Sequence, residues 1–245
     1  VKDIVTEGDF GMSYFSGRPV FDEIWPRFLV TIRMSLLILV ISVCVGVPVG
    51  IYSAVKQYSL WDTVPTMMAF FLAAVPSFVI GMVLMYFFAL KINIFPSFGL
   101  SGLKSYILPV SAVAISEAAA YLRFTKSSML EAIRQDYVRT ARGKGVPERT
   151  VIWKHAMRNA LLPVITCVGM RFGVLLAGMV TTERLFSIPG IGSLIVDSIS
   201  KKDEPVIIAA SILIASAFTM LMLLVDIAYA YVDPRIRAKY SRLER

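Results

Sequence analysis

Along the chain, stretches free of Asp, Glu, Lys and Arg alternate with short charged segments. Three stretches carry no charge at all: Met34 to Val55, Thr63 to Leu90 and Pro205 to Val225. At about 1.5 Å per residue, roughly 20 helical residues cross a hydrocarbon core about 30 Å thick, and each stretch reaches that length. Two further stretches carry one charge each: Ser105 to Leu122 contains Glu117, and Asn159 to Thr182 contains Arg171. The pattern predicts an all-α polytopic membrane protein with five transmembrane helices in this chain. Gly46, Pro48, Gly50, Pro76, Gly81, Gly169, Gly173 and Gly178 fall inside these stretches. Such residues suit membrane bundles, where small side chains let helices approach closely.

Composition agrees with the pattern. Of 245 residues, 57% are hydrophobic and only 17% charged, and mean hydropathy is +0.71. A soluble domain carries about 25% charged residues on its exterior, so an ordinary soluble enzyme, a disordered tail and a disulfide-stapled module are excluded. The net charge of +8 fits cationic loops between apolar spans; no nucleic-acid partner is expected. Cys44 and Cys167 lie in apolar stretches and read as small hydrophobes. His155 is the single histidine, and no spacing suits metal ligands, so no metal site is expected. The chain starts at Val1 with nothing like a signal peptide; a further span is expected upstream.

The charged segments set an orientation. Residues 123–158 hold nine Lys or Arg against three acids, and the tail adds Arg235, Arg237, Lys239, Arg242 and Arg245. The positive-inside rule makes both segments cytoplasmic, together with the C-terminus and, by alternation, the loop Lys56 to Asp62. Segments 91–104 and 183–204 then face outward. Residues 1–29 also face outward, with five acids against three basic residues. Within them, Phe21, Ile24, Trp25 and Phe28 interleave with charges, so residues 20–28 read either as an interfacial helix or as an ordinary loop. The expected divisions are an extracytoplasmic segment 1–29, a transmembrane domain 30–233 and a basic cytoplasmic tail 234–245, in a multi-pass protein of the cytoplasmic (inner) membrane.

The second cytoplasmic loop, 123–162, is too long for a mere connector. Arg123 to Arg134 and Val151 to Ala160 read as helices. Between them, Ala141, Gly143 and Gly145 predict a short helix that stops, and Pro147 predicts a restart in the next first turn. Here the residues resemble a known pattern. Tyr137-Val-Arg-Thr-Ala-Arg-Gly-Lys-Gly145, followed by Trp153-Lys-His-Ala-Met-Arg-Asn-Ala-Leu-Leu-Pro163, resembles the EAA loop in permease subunits of ATP-binding-cassette importers, of the dipeptide, oligopeptide and nickel branch. The resemblance extends over nearly the whole chain, through Gly8-Asp-Phe-Gly-Met-Ser13, Gly17-Arg-Pro-Val20, Arg123-Phe-Thr-Lys-Ser-Ser-Met-Leu-Glu131, Glu183-Arg-Leu-Phe-Ser-Ile-Pro-Gly-Ile-Gly192, Asp226 and Asp233-Pro-Arg235. Departures from the general motif are Arg139 and Thr140 in its first two places and a longer distance from Gly145 to Pro163.

The resemblance implies a six-helix permease whose first helix precedes this segment. It also implies a homologous second permease, two cytoplasmic ATPase subunits that bind ATP and magnesium, and an extracytoplasmic substrate-binding protein. This chain itself would hold no cofactor. A short helix around Thr140 to Arg149 would seat in a groove of the ATPase, with Thr140, Ala141, Gly143 and Gly145 allowing close approach. Arg139, Arg142 and Lys144 would supply ionic contacts, and Pro163 would close the motif. Peptides are the first expected cargo, and nickel or a metal chelate the alternative.

Other residues carry less. No Gly-x-x-x-x-Gly-Lys-Ser/Thr sequence occurs, so this chain has no P-loop and is not expected to hydrolyse ATP. Charges at membrane depth cost about 2.5–3.5 kcal/mol on insertion scales; Glu117 and Arg171 lie at similar expected depths and form a candidate ion pair, structural or lining the pathway. In the outer loop, Glu183, Phe186, Pro189, Gly190 and Gly192 form a motif in which Gly190-Ile-Gly192 is expected to shape a tight turn after Pro189, one that lines or gates the outer mouth. Asp226 and the methionines Met67, Met68, Met82 and Met85 read as helix packing. An intramembrane protease would need paired carboxylates or a Ser-His pair within the spans, and neither occurs. A stand-alone channel or secondary carrier would not need the docking loop.

Overall fold

The computed structural model describes residues 10–232. Gly8 and Asp9 of the first motif, and Asp233, Arg235 and the remaining basic tail, lie outside the described residues. In chain order the helices are α1 (Val20–Val55), α2 (Leu60–Ala74) and α3 (Ser77–Leu84), the last continuing as π-helical Met85–Lys91. They are followed by α4 (Lys104–Ile133), α5 (Asp136–Gly143), α6 (Met157–Gly178), α7 (Val180–Leu185), α8 (Ile191–Lys201) and α9 (Glu204–Val232). A turn at Glu148–Thr150 and a π-helical stretch at Val151–Ala156 lead into α6. Among the described residues, four helical segments are long and apolar enough to cross a membrane, or five if α2 and the α3 segment count as one broken span.

That break corrects the expected continuous span from Thr63 to Leu90. Proline has no N–H to continue a helix and pushes its predecessor toward extended backbone. Val75, ahead of Pro76, accordingly has φ −92° and ψ 121°. The methionines also differ from expectation: Met67, Met68 and Met82 are exposed, and only Met85 is buried. Asp226 is exposed on α9 rather than packed.

The chain divides into two compact units, to each of which α1, α4, α6 and α9 contribute a part. The first comprises Val1–Ile38, Ser77–Val113 and Phe172–Met220. Residues 20–28 belong there as the opening turns of α1: they are helical and lead into the span, which sets the loop reading aside. Val20, Ile24 and Phe28, at i, i+4 and i+8, form one buried stripe with Ile191 and Leu194 of α8 and Val206, Ala209 and Ala210 of α9. The preceding hairpin, bridged at Met12 and Pro19, is pinned by Asp203, which accepts from Ser13 Oγ and from the Tyr14 N–H at 3.0 Å.

The second unit comprises Leu39–Pro76, Ala114–Arg171 and Leu221–Arg245. Its α1–α4 crossing rests on glycine. A Cβ on Gly46 would stand 2.9 Å from Tyr121 Cβ, and one on Gly50 would stand 2.8 Å from Thr125 Cβ, so only hydrogen fits at either position. This is the small-x-x-x-small device of membrane helices, in which backbones pack against backbones. Beyond α4, the cluster of Ile51, Ala54, Met129, Ala132, Val138, Ala141, Val151, Ile152 and Ala156 ties α5 to its neighbours.

Candidate functional site

The segment from Gln135 to Thr150 is built by its own end signals. Gln135 is extended at ψ 152° and opens α5. At the other end, the Gly145 N–H donates to Arg142 O at 2.9 Å and the Val146 N–H to Ala141 O at 3.3 Å, with Gly145 at φ 75°. This pair of bonds around a left-handed glycine is the Schellman stop, and Val146 adds its usual apolar contact by packing on the cluster. Two expectations are corrected. The helix is Asp136–Gly143 rather than 140–149, because the Gly145 stop ends it. Pro147 then caps the next turn rather than sitting inside it.

Val138 and Ala141 are the buried face of α5, at 0% and 8% exposure. Ala141 therefore packs on its own chain and is not a free surface for a partner, contrary to expectation. Arg139, Thr140, Arg142, Gly143, Lys144 and Gly145 are exposed. Arg142 forms a two-pronged pair with Glu148, Nε to Oε2 at 3.0 Å and Nη2 to Oε1 at 2.7 Å, which straps the turn shut. The guanidinium holds the Glu148 carboxyl below the usual carboxylate range. Lys144 carries no such strap, and Arg139 only reaches Asp136 at 3.8 Å. Pro163 is exposed within α6; beside it Ser128 Oγ donates to Ala160 O at 2.7 Å. The segment thus presents a rigid cationic edge held on a buried apolar face.

Glu117 and Arg171 meet. Arg171 Nε lies 2.7 Å from Glu117 Oε2, and Nη2 lies 3.0 Å from Oε1. The bidentate fork fixes geometry as well as charge. The Tyr121 ring lies 5.9 Å from the guanidinium. The pair is not sealed: the Arg171 side chain is 40% exposed and that of Glu117 14%.

The outer-loop motif forms a helix cap. The first amides of α8 need acceptors, and Gly190, the N-cap, has no side chain to offer. Glu183 and Thr31 supply them instead: Glu183 Oε2 accepts from the Ser193 N–H at 2.8 Å, and Thr31 Oγ1 accepts from the Ile191 N–H at 3.0 Å. Thr31 Oγ1 in turn donates to Glu183 Oε1 at 2.6 Å. A Cβ on Gly190 would overlap the Glu183 carboxylate, and one on Gly192 would stand 2.7 Å from Val180 Cγ2. Glu183 is 0% exposed, and burial pushes its carboxyl up despite these donors. Phe186 is buried and Pro189 exposed. The backbone turns tightly here, with the Ile188 N–H donating to Glu183 O at 2.7 Å and the Gly190 N–H to Ile188 O at 2.8 Å, and the Glu183 carboxylate is buried within the turn.

One polar cluster escaped the sequence reading. Asp62 on α2 and Lys126 on α4 form an ion pair with side-chain exposures of 7% and 18%. Thr66 Oγ1 accepts from Lys126 Nζ at 3.0 Å and donates to Asp62 Oδ1 at 3.1 Å, and the Tyr58 N–H donates to Asp62 Oδ2 at 3.0 Å. Asp62 stands at the edge of a charge-free stretch, where it reads as a loop residue, and Lys126 is one of nine basic residues in the segment 123–158, where it reads as part of the orienting charge. The usable signal was the i, i+4 pair Asp62 and Thr66 on one helix face.

Comparison with known proteins agrees with this architecture. The sequence profile of the binding-protein-dependent transport system inner membrane component family matches residues 46–238. The glutathione transport system permease protein GsiC of Escherichia coli (strain K12) is 40% identical over 233 residues, covering 95% of this chain and 76% of that protein. GsiC of Salmonella typhi is 40% identical over 235 residues, covering 96% and 77%. Among solved structures, the MetNI methionine ABC transporter in inward-facing conformations shares the fold with TM-score 0.71 at 14% identity, over 85% of this chain and 95% of that one. An amino acid ABC transporter with histidines gives 0.59 at 14% identity, over 88% and 93%. The chain belongs to the binding-protein-dependent transport system inner membrane component family, and is a permease subunit of an ATP-binding-cassette importer.

Proposed function

We propose that this permease moves dipeptides or oligopeptides into the cell by alternating access, driven by ATPase subunits that engage the α5 edge. The observation that carries the coupling is the build of that segment. Its apolar face is fixed to α1, α4 and the entry to α6 through Val138 and Ala141, while Arg139, Arg142 and Lys144 stay outside. A rigid element with one anchored and one free cationic face can pass a push from a partner to the helices behind it. The peptide reading is supported by relatives named for glutathione, itself a tripeptide. ATP and magnesium belong to two ATPase subunits, a second permease completes the path, and an extracytoplasmic binding protein delivers cargo. α5 and the C-terminus face the cytoplasm.

The test is to express the protein with its neighbouring genes, purify the complex and follow uptake into proteoliposomes. An ATPase copurifies, and labelled glutathione or dialanine enters only with ATP. Gly145→Asp, which places a side chain on the left-handed stop and an acid among the cations, lowers uptake by roughly tenfold or more. Absence of any ATPase, with Gly145→Asp uptake intact, overturns the coupling role. Uptake of labelled nickel without peptide overturns the cargo.

A further inference from the structure

The Asp62, Thr66 and Lys126 triangle joins α2 to α4. Such a pair is weak evidence for stability, because an apolar pair of similar volume is often as stable or more so. In some proteins a buried charge pair instead fixes register, because its donors and acceptors match in few alignments. Here four groups from the α2 and α4 segments meet. Asp62 accepts from Lys126, Thr66 and the Tyr58 amide, and Lys126 donates to both side chains. Along α2, Asp62, Thr66 and Phe70 lie at i, i+4 and i+8, one face of the helix. Lys126 meets the first two, and Arg123 stands 5.3 Å from the Phe70 ring. The cationic edge of α4 is therefore locked to a single face of α2.

The same helix leads to α5. Met129 and Ala132, three and six residues beyond Lys126 on α4, are buried with Val138 and Ala141 of α5. Packing therefore joins α5 to Met129 and Ala132, and ionic contact joins Lys126 to α2.

We propose that Lys126 and Asp62 are positioning residues for transport, forming the joint through which the coupling segment drives α2. This rests on the importer reading. The joint predicts a separation of functions: without it the ATPases still engage α5 and turn over, but the work no longer reaches α2.

The experiment uses the whole importer in proteoliposomes with its binding protein, measuring ATP hydrolysed per labelled glutathione or dialanine carried. Lys126→Met and the apolar pair Asp62→Leu with Lys126→Met copurify with the ATPases and hydrolyse ATP, while the ATP used per peptide rises roughly tenfold, the scale of an inter-site coupling energy. Lys126→Arg, which keeps charge and donors, stays close to the parent ratio. A parent-like ratio in the apolar pair overturns the joint. So does failure of both Met-containing variants to assemble, since the triangle would then serve assembly. Should the unaltered complex show no ATP-driven uptake, the importer reading fails rather than the joint.

Discussion

At the scale of single residues, Glu183 shows how one buried carboxylate organises a loop. It accepts from Thr31 and from the Ser193 amide, and it occupies the volume that a Cβ on Gly190 would need. Burial raises its pKa, although the amide donors and the start of α8 favour the ion. The sign of the pH dependence follows. A group whose folded pKa is raised contributes stability that is complete below its unfolded value and is lost as pH rises through the folded value. Melting temperature of the purified protein should therefore fall as pH climbs from the ordinary glutamate range through the raised one. Glu183→Gln, uncharged at every pH, should flatten that slope; an unchanged slope would assign the dependence to another group.

Among elements, the glycines divide into those that permit a contact and those that end a helix. Gly50 faces Leu122 and Thr125 with no room for a side chain, whereas Gly143 at the end of α5 has nothing within 4 Å of an added Cβ. Gly50→Val overpacks the α1–α4 crossing and should cost about 1–3 kcal/mol. Gly143→Ala should be neutral or stabilise by up to about 1 kcal/mol through reduced freedom of the unfolded chain. Thermal unfolding of the two variants in one detergent reads the difference, and equal costs would remove the crossing from consideration. The spans were legible in the sequence because charge-free length is what a bilayer selects. The break at Val75–Pro76 was not, since a count of charge-free residues registers that proline is uncharged and not that it lacks an N–H. Glu117 and Arg171 were legible as a pair because few charges lie within spans, and a fork between them was the cheapest way to keep both. Asp62 and Lys126 were hidden among the charges that mark span ends. The inward turn of Glu183 depended on Thr31, far off in sequence, which no local spacing reveals.

For the whole molecule, the decisive quantity is parity, the number of times the chain crosses the membrane between two points. Segment 123–158 carries nine basic residues against three acids, which on the positive-inside rule predicts a cytoplasmic location. Moving back through α4, one crossing would then put Leu103 outside. Whether Tyr58 is then inside depends on α2 and the α3 segment: acting together as one broken span they separate the two residues, whereas a re-entrant pair would leave them on the same face. Tyr58 and Leu103 are 86% and 89% exposed, so each gives a clean reporter. With Cys44 and Cys167 replaced by Ala, Leu103→Cys should react with a membrane-impermeant maleimide on intact cells. Tyr58→Cys should react only after permeabilisation. Labelling of both from outside would make the broken pair re-entrant. Labelling of Tyr58→Cys alone from outside would reverse the orientation and take the cationic α5 edge away from any cytoplasmic ATPase. The charge asymmetry and the coupling role therefore stand or fall on one pair of measurements: the basic residues that orient the chain include Arg139, Arg142 and Lys144, the same ones a partner would have to reach.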